Sequence, residues 1–473
     1  MPRTQIFLAS TLYGVATLAA ALDADCFAPA DRRLLLVANT AAVPETTPGP
    51  DEVPGFDRLR ARFDGVLSWN DTISPFHPSG WAPRPDDAPL WERHLRLLWG
   101  LGADDVELVV ESIQVNPAQA LALCFADAPL EVYADGLMSY GPTRSKLDPL
   151  IGTRVRRLLH LDLVPGLRPL LLTEFDVTPE LVPATAFTAV VDELAEAQGA
   201  AAGSAGTDDA ALLLGQYLSA LEILTGEEEE RLHVRMLHGA AARGHRRVVF
   251  KPHPSAPARW SRTLEDEAGR LGVALTVLDT PVLAEVVCRE LRPALVVGCF
   301  STALLTASTF YGLPVARTGT DLLLERLTPY QNSNRVPVTL VDALLPPLEN
   351  ATDAPGTAGA TGTAEHRPPS GEELQGLLAA VGFAMQPQVL PGLRAEAERY
   401  LEAHLDARTR PYFKRRRLTA LALPGAVPSP LAFLPRSPAV RKMARRARAM
   451  QRRLARRTAA KKTAETTKTT VTV

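Results

Sequence analysis

The sequence predicts an α/β protein built from two doubly wound parallel sheets that face a cleft, with a basic C-terminal tail. Three observations carry this. Apolar runs of strand length alternate with helix-period patterns in two separate series. A small, polar, glycine-rich stretch, AQGAAAGSAGTDD, lies between the series. At 473 residues the chain is also too long for one ordinary core. The expected organisation is a first domain over 1–196, a linker over 197–209 and a second domain over 210–348. A low-complexity insertion over 349–371, a helical closing segment over 372–410 and a basic tail over 411–473 follow.

The amino-terminal run IFLASTLYGVATLAAAL after Arg3 has two readings. Its apolar length approaches that of a secretory signal or an anchor. Ser10, Thr11, Tyr13, Gly14 and Thr17 interrupt it, however, and the pattern parses as strand Thr4–Ala9, helix Gly14–Leu22 and strand Arg33–Ala38. That βαβ opening is the expectation. Further strands are expected at Gly65–Trp69, Val106–Val110, Leu130–Tyr133 and Leu158–Leu161, with helices at Trp91–Leu101 and Pro117–Cys124. Trp69-Asn70-Asp71 and the loop to Trp81 follow an early strand and read either as a sugar contact or, in preference, as a core tryptophan. After the linker the expected strands are Ala211–Gly215, Arg247–Phe250, Val273–Leu278 and Ala294–Val297. Helices Glu227–Arg243, Leu264–Leu271, Val282–Glu290 and Thr302–Tyr311 alternate with them, and one more helix is expected at Leu393–Leu405.

Charge is unevenly divided. Residues 411–473 hold 17 Lys or Arg against Glu465 alone, or +16, so the remainder carries 34 basic against 52 acidic residues, or −18. An acidic body without aromatic residues interleaved among its basic ones argues against a nucleic-acid partner. The tail reads first as a solvated chain and second as a helix, Arg441–Lys462, resting on an anionic membrane surface. Four scattered cysteines without a CxxC pair signal neither a zinc site nor a disulfide framework. The expected location is cytoplasmic, with the tail available to the inner face of a membrane.

Three stretches carry chemistry. VVFKPHPS, residues 248–255, is a buried strand ending in Lys251, Pro252, His253 and Pro254. The prolines fix the backbone on both sides of His253, whose ring can hold or transfer a proton near neutral pH while Lys251 adds positive charge. LEVYADG, residues 130–136, ends a strand on Asp135 and Gly136, a common turn pair that also sets a carboxylate at the sheet's ligand-binding edge. ALVVGCFSTAL, residues 294–304, runs a strand into Ser301 and Thr302 at a helix start, which suits an ordinary cap as well as an anion cradle. Gly215 and Gln216 follow the first strand of the second series and read either as a plain turn or as contacts to the same ligand. A second His-Pro pair, His77-Pro78, has no strand before it and reads as an irregular loop.

With Ala134-Asp135-Gly136, His253-Pro254 and Ser301-Thr302 in this order, each at the end of an expected strand, the chain resembles the bacterial sialyltransferases, in particular the polysialyltransferase-like and lipooligosaccharide sialyltransferase group. The likeness runs over most of residues 4–345 and includes GQYL after the linker. It implies a GT-B architecture of two Rossmann-like domains, no metal or other cofactor, and inverting transfer of sialic acid or a related nonulosonic acid from its CMP donor to a glycan acceptor. Carried over, Asp135 takes the acceptor proton, His253 stabilises or protonates the departing phosphate, and Ser301 and Thr302 bind it. Gly136, Gly215, Gln216, Lys251, Pro254 and Glu285 support the donor. One departure stands out: the family's first acidic position is Ala134 here. Two alternatives remain open at this level. One is another GT-B enzyme, such as a CDP-glycerol glycerophosphotransferase-like protein or a nucleotide-sugar epimerase; the other is a non-catalytic nucleotide-sugar or glycan-binding protein.

Overall fold

The structure is a computed structural model that describes residues 1–134, 136–144, 147–198, 209–253, 256–349 and 366–427. The first sheet contains β1 (Arg3–Ala9), β2 (Arg32–Val37), β3 (Gly65–Ser68), β4 (Asp105–Glu111), β5 (Leu130–Tyr133), β6 (Val155–Leu161) and β7 (Thr178–Val182). The second contains β8 (Ala211–Leu214), β9 (Arg247–Lys251), β10 (Ala274–Val277), β11 (Leu295–Gly298) and β12 (Val315–Arg317). Their orders are β3-β2-β1-β4-β5-β6-β7 and β10-β9-β8-β11-β12. Every pairing is parallel. This is the two-sheet α/β architecture that the alternating pattern predicts, with the strand order reversing between β1 and β4 in the first sheet and between β8 and β11 in the second.

Helical crossovers cover both faces of the first sheet, which explains its unbroken apolar strands. In β1, Phe7 and Ala9 enter one core while Ile6 and Leu8 enter another. The amino-terminal run therefore forms the interior of a sheet: β1 pairs with both β2 and β4. Helix Leu12–Asp23 follows, its first turn capped by the Thr11 side chain, which accepts from Gly14 N. Among the described residues no helix is long and apolar enough to cross a membrane.

Strands β7 and β12 are not visible in the sequence pattern. Strand β7 lies at the sheet edge, where a proline such as Pro179 is tolerated, and its mostly exposed side chains give no apolar run. Strand β12 has only three residues. Helix Gly371–Met385 starts on a capping box formed by Ser370 and Glu373. It returns to the first half of the chain, where Gln375 Oε1 accepts from Arg168 N at 3.0 Å. The basic stretch begins inside the fold: Tyr412 is buried, and Arg417 Nε donates to Ala384 O at 2.6 Å. Only its continuation, including Arg441–Lys462, lies outside the described residues, together with most of the expected linker and insertion. Cys26, Cys124, Cys288 and Cys299 are free thiols.

Candidate active site

All three chemical stretches lie at carboxyl ends of parallel strands, where open α/β sheets bind ligands. In the first sheet, β5 is buried along its length and Ala134 N donates to Leu159 O at 2.9 Å, which carries the strand geometry one residue further. Asp135 lies outside the described residues. Gly136 follows with φ 154° and ψ −152°, a conformation essentially restricted to glycine. A Cβ there would lie 2.6 Å from Thr302 Oγ1. The turn after β5 and the helix after β11 thus meet directly, although 166 positions separate Gly136 from Thr302 in the sequence.

Thr302 opens helix Thr302–Tyr311, and Ser301 is its cap, accepting from Ala303 N at 3.3 Å. A hydroxyl that accepts one bond can still donate another, so capping and anion binding are compatible. Gln216, just beyond β8, fixes the approach to this helix: its Oε1 accepts from Phe300 N at 2.9 Å. Gly215 N donates to Lys251 O at 2.9 Å, and a Cβ at Gly215 would lie 3.2 Å from the Pro252 backbone. The absence of a side chain at Gly215 therefore lets the ends of β8 and β9 close together.

Lys251 ends β9 and is buried, which pushes its ammonium below the usual lysine range, while Glu285 partly restores it. Glu285 is buried as well, and burial raises its carboxyl; the charge of Lys251 and a hydrogen bond from the Thr306 hydroxyl oppose this. Its place is therefore behind Lys251 and beneath the helix that Ser301 caps, rather than on an open surface. His253 stands at the rim, its ring 6.1 Å from that of Tyr217 and open to solvent on one side. The surrounding protein and then the charge of Lys251 lower its pKa. Pro254 lies outside the described residues. Among the described residues no three His, Cys, Asp or Glu side chains converge to hold a metal ion.

One residue beside this edge escapes the sequence reading. Glu111 ends β4 and pairs in register with Tyr133, two positions before Asp135. Its carboxylate accepts from Ser10 N at 2.7 Å and from Ser10 Oγ. Ser112 and Ile113 follow with φ of 55° and 36°, a costly pair of left-handed non-glycine residues of the kind that clusters at active sites. The available signal was a carboxylate directly after the apolar run Val106–Val110, which reads equally well as the boundary of a strand.

A family model for alpha-2,8-polysialyltransferase (POLYST) matches residues 5–320. Among solved structures the chain is similar to the GT-B domain of a sialyltransferase from Photobacterium damselae, at 12% identity and TM-score 0.36, covering 72% of this chain and 96% of that one. It is also similar to a UDP-GlcNAc 2-epimerase from Methanocaldococcus jannaschii, at 11% identity and TM-score 0.39, covering 67% and 83%. A third is a glycosyl transferase family 9 protein from Veillonella parvula, at 12% identity and TM-score 0.33, covering 67% and 83%. No curated protein matches. The family match spans two thirds of the chain and includes all three chemical stretches: the protein is a glycosyltransferase belonging to the alpha-2,8-polysialyltransferase family.

Proposed function

We propose that this enzyme moves sialic acid, or a related nonulosonic acid, from its CMP donor to a glycan hydroxyl, with inversion and without a metal ion. The acceptor oxygen attacks the anomeric carbon as the bond from that carbon to the phosphate oxygen breaks. The acceptor proton passes to the Asp135 carboxylate, and the bonding electrons leave with the CMP phosphate. Protonated His253 neutralises that phosphate or gives it a proton, while the Ser301 and Thr302 hydroxyls and the first N–H groups of their helix hold it. The observation that carries the reading is the approach of Gly136 to Thr302, which brings the residue after the proposed base against the proposed phosphate site.

Ala134 leaves one carboxylate in the motif, and Glu111 supplies a second on the neighbouring strand. Because Ser10 already engages Glu111, its role here is to position the edge beside the β5 turn, with Asp135 as the base. Asp135→Asn is expected to lower transfer by about 10²–10⁴-fold, as for loss of a general base. Glu111→Gln should cost roughly tenfold, the effect of about 1.4 kcal/mol, and leave the shape of the pH profile unchanged. The reverse ranking in a transfer assay would assign the base to Glu111. Resolving the anomeric configuration of the first product by NMR, in chelator, tests the rest: the inverted anomer is expected, and a retained anomer or a metal requirement would refute the mechanism.

A further inference from the structure

His253 can serve the departing phosphate only if its side chain, and not just its backbone, is held in place. Pro252 and Pro254 restrict the main chain on either side of it. The side-chain torsions are not restricted in this way, and the outer one is broad for histidine. The ring needs a support of its own.

Tyr217, just beyond β8, supplies one. Its ring centroid lies 6.1 Å from that of His253, at an interplanar angle of 42°. It also meets the ring of Trp260, 5.8 Å away and nearly edge-on at 76°. Trp260 is buried and packs on His233 at 5.7 Å, and buried His233 packs on Phe250 at 5.2 Å. Phe250 belongs to β9, three positions before His253. A column of rings thus runs from β9 back to the residues at its own carboxyl end, and Tyr217 is the member that faces the imidazole.

The loop that carries Tyr217 is anchored on both sides of it. Before it, Gly215 N donates to Lys251 O at 2.9 Å, and Gln216 Oε1 accepts from Phe300 N at 2.9 Å. After it stands Glu229, fully buried in helix Gly226–Ala242. Glu229 Oε1 accepts from Leu218 N at 2.6 Å, and Oε2 accepts from Ser219 N and Ser219 Oγ, both at 2.8 Å. A buried carboxylate with three donors from one loop holds that backbone firmly, since each bond given up leaves a buried polar group unsatisfied. His233 lies one turn further along the same helix, so this helix supports Tyr217 through the backbone and through the ring column. Through Gln216 the loop is also tied to the approach of the helix that Ser301 caps, which puts the imidazole and the phosphate cradle in one frame.

We infer that Tyr217 is a positioning residue for His253: its ring, backed by Trp260 and anchored by Glu229, keeps the imidazole turned toward the phosphate that Ser301 and Thr302 hold. The inference rests on the sialyl-transfer reading for the identity of that phosphate. The test compares Tyr217→Leu and Tyr217→Phe in the full chain, each with and without His253→Asn. Tyr217 is half-buried at the rim, so neither substitution opens the core. Tyr217→Leu should lower kcat for transfer from CMP-sialic acid by about 10- to 100-fold, as for a small misplacement of a reacting group, with donor KM unchanged. Tyr217→Phe keeps the ring and should restore kcat. In the His253→Asn background Tyr217→Leu should cost nothing further, because a residue that acts through another loses its effect with it. An unchanged kcat in Tyr217→Leu, equal losses in both backgrounds, an effect on donor KM alone, or a Phe variant as impaired as the Leu variant would overturn the assignment. Histidine-ring NMR without donor keeps two failures apart. The Cε1–H signal of His253, assigned by its absence in His253→Asn, should move in Tyr217→Leu and stay in place in Tyr217→Phe. That pattern without turnover of CMP-sialic acid leaves the support of His253 by Tyr217 standing and overturns only the donor assignment. A signal insensitive to Tyr217→Leu overturns the support whatever the donor.

Discussion

Replacing His253 with asparagine is expected, under the proposed mechanism, to lower sialyl transfer by about 10²–10⁴-fold, the usual loss when an acid at the reacting bond is removed. The pH dependence of the wild-type enzyme gives this expectation a sign. Burial and then Lys251 both favour the neutral ring, so the folded pKa of His253 lies below its ordinary value. If the protonated ring is the active form, kcat/KM falls as pH rises through that lowered pKa. Once the donor binds, its phosphate returns negative charge to the site, so the corresponding limb of kcat lies at higher pH. Lys251→Met removes a like charge and moves the kcat/KM limb upward as well. Glu285 becomes easier to protonate in that variant, because Lys251 is among the groups that hold its carboxyl down, so no buried charge is stranded. A rate that rises with pH over the same range would show that the neutral imidazole is the working form.

Gly136→Ala is the second large effect. The backbone at φ 154° and ψ −152° excludes side chains at a cost of roughly 1–3 kcal/mol. The added Cβ also meets Thr302 Oγ1 at 2.6 Å, so the β5 turn and the helix at Ser301 must move apart. Because Gly136 directly follows Asp135, a shift of about 1 Å there should misplace the proposed base and cost on the order of 10² in turnover. Combining Gly136→Ala with Thr302→Ala separates the two causes. The clash is relieved, so the double variant should recover several degrees of thermal midpoint relative to additivity, whereas turnover stays low because the backbone strain remains and a phosphate-binding hydroxyl is lost. An alanine at 136 with full activity would show that the turn tolerates rearrangement.

The βαβ reading of the amino terminus was legible because polar interruptions fall where β1 ends and a helix begins, and the continuous apolar run is what a strand buried on both faces requires. His253, Lys251, Ser301 and Thr302 could be picked out because each follows a strongly apolar strand. Their contacts could not. Nothing near Gly136 in the sequence announces Thr302, and nothing in the chemistry of Glu285 shows that it is enclosed with Thr306. The contact between the ends of β2 and β3 was hidden for the same reason. Asn39 and Asn70 are 31 positions apart and meet only through strand pairing, and the loop around His77 has no periodicity to read. Helix Gly371–Met385 falls within the expected helical segment over 372–410, although the pattern singled out a helix only at Leu393–Leu405 there.

The most direct measurement is release of CMP from CMP-sialic acid by the purified protein in chelator with a glycan acceptor present, set beside CDP-glycerol and UDP-linked sugars. CMP release coupled to a sialylated product is expected, lowered by about 10²–10⁴-fold in Asp135→Asn and in His253→Asn, with the other donors untouched. Turnover of CDP-glycerol or a UDP-sugar in preference to CMP-sialic acid would contradict it.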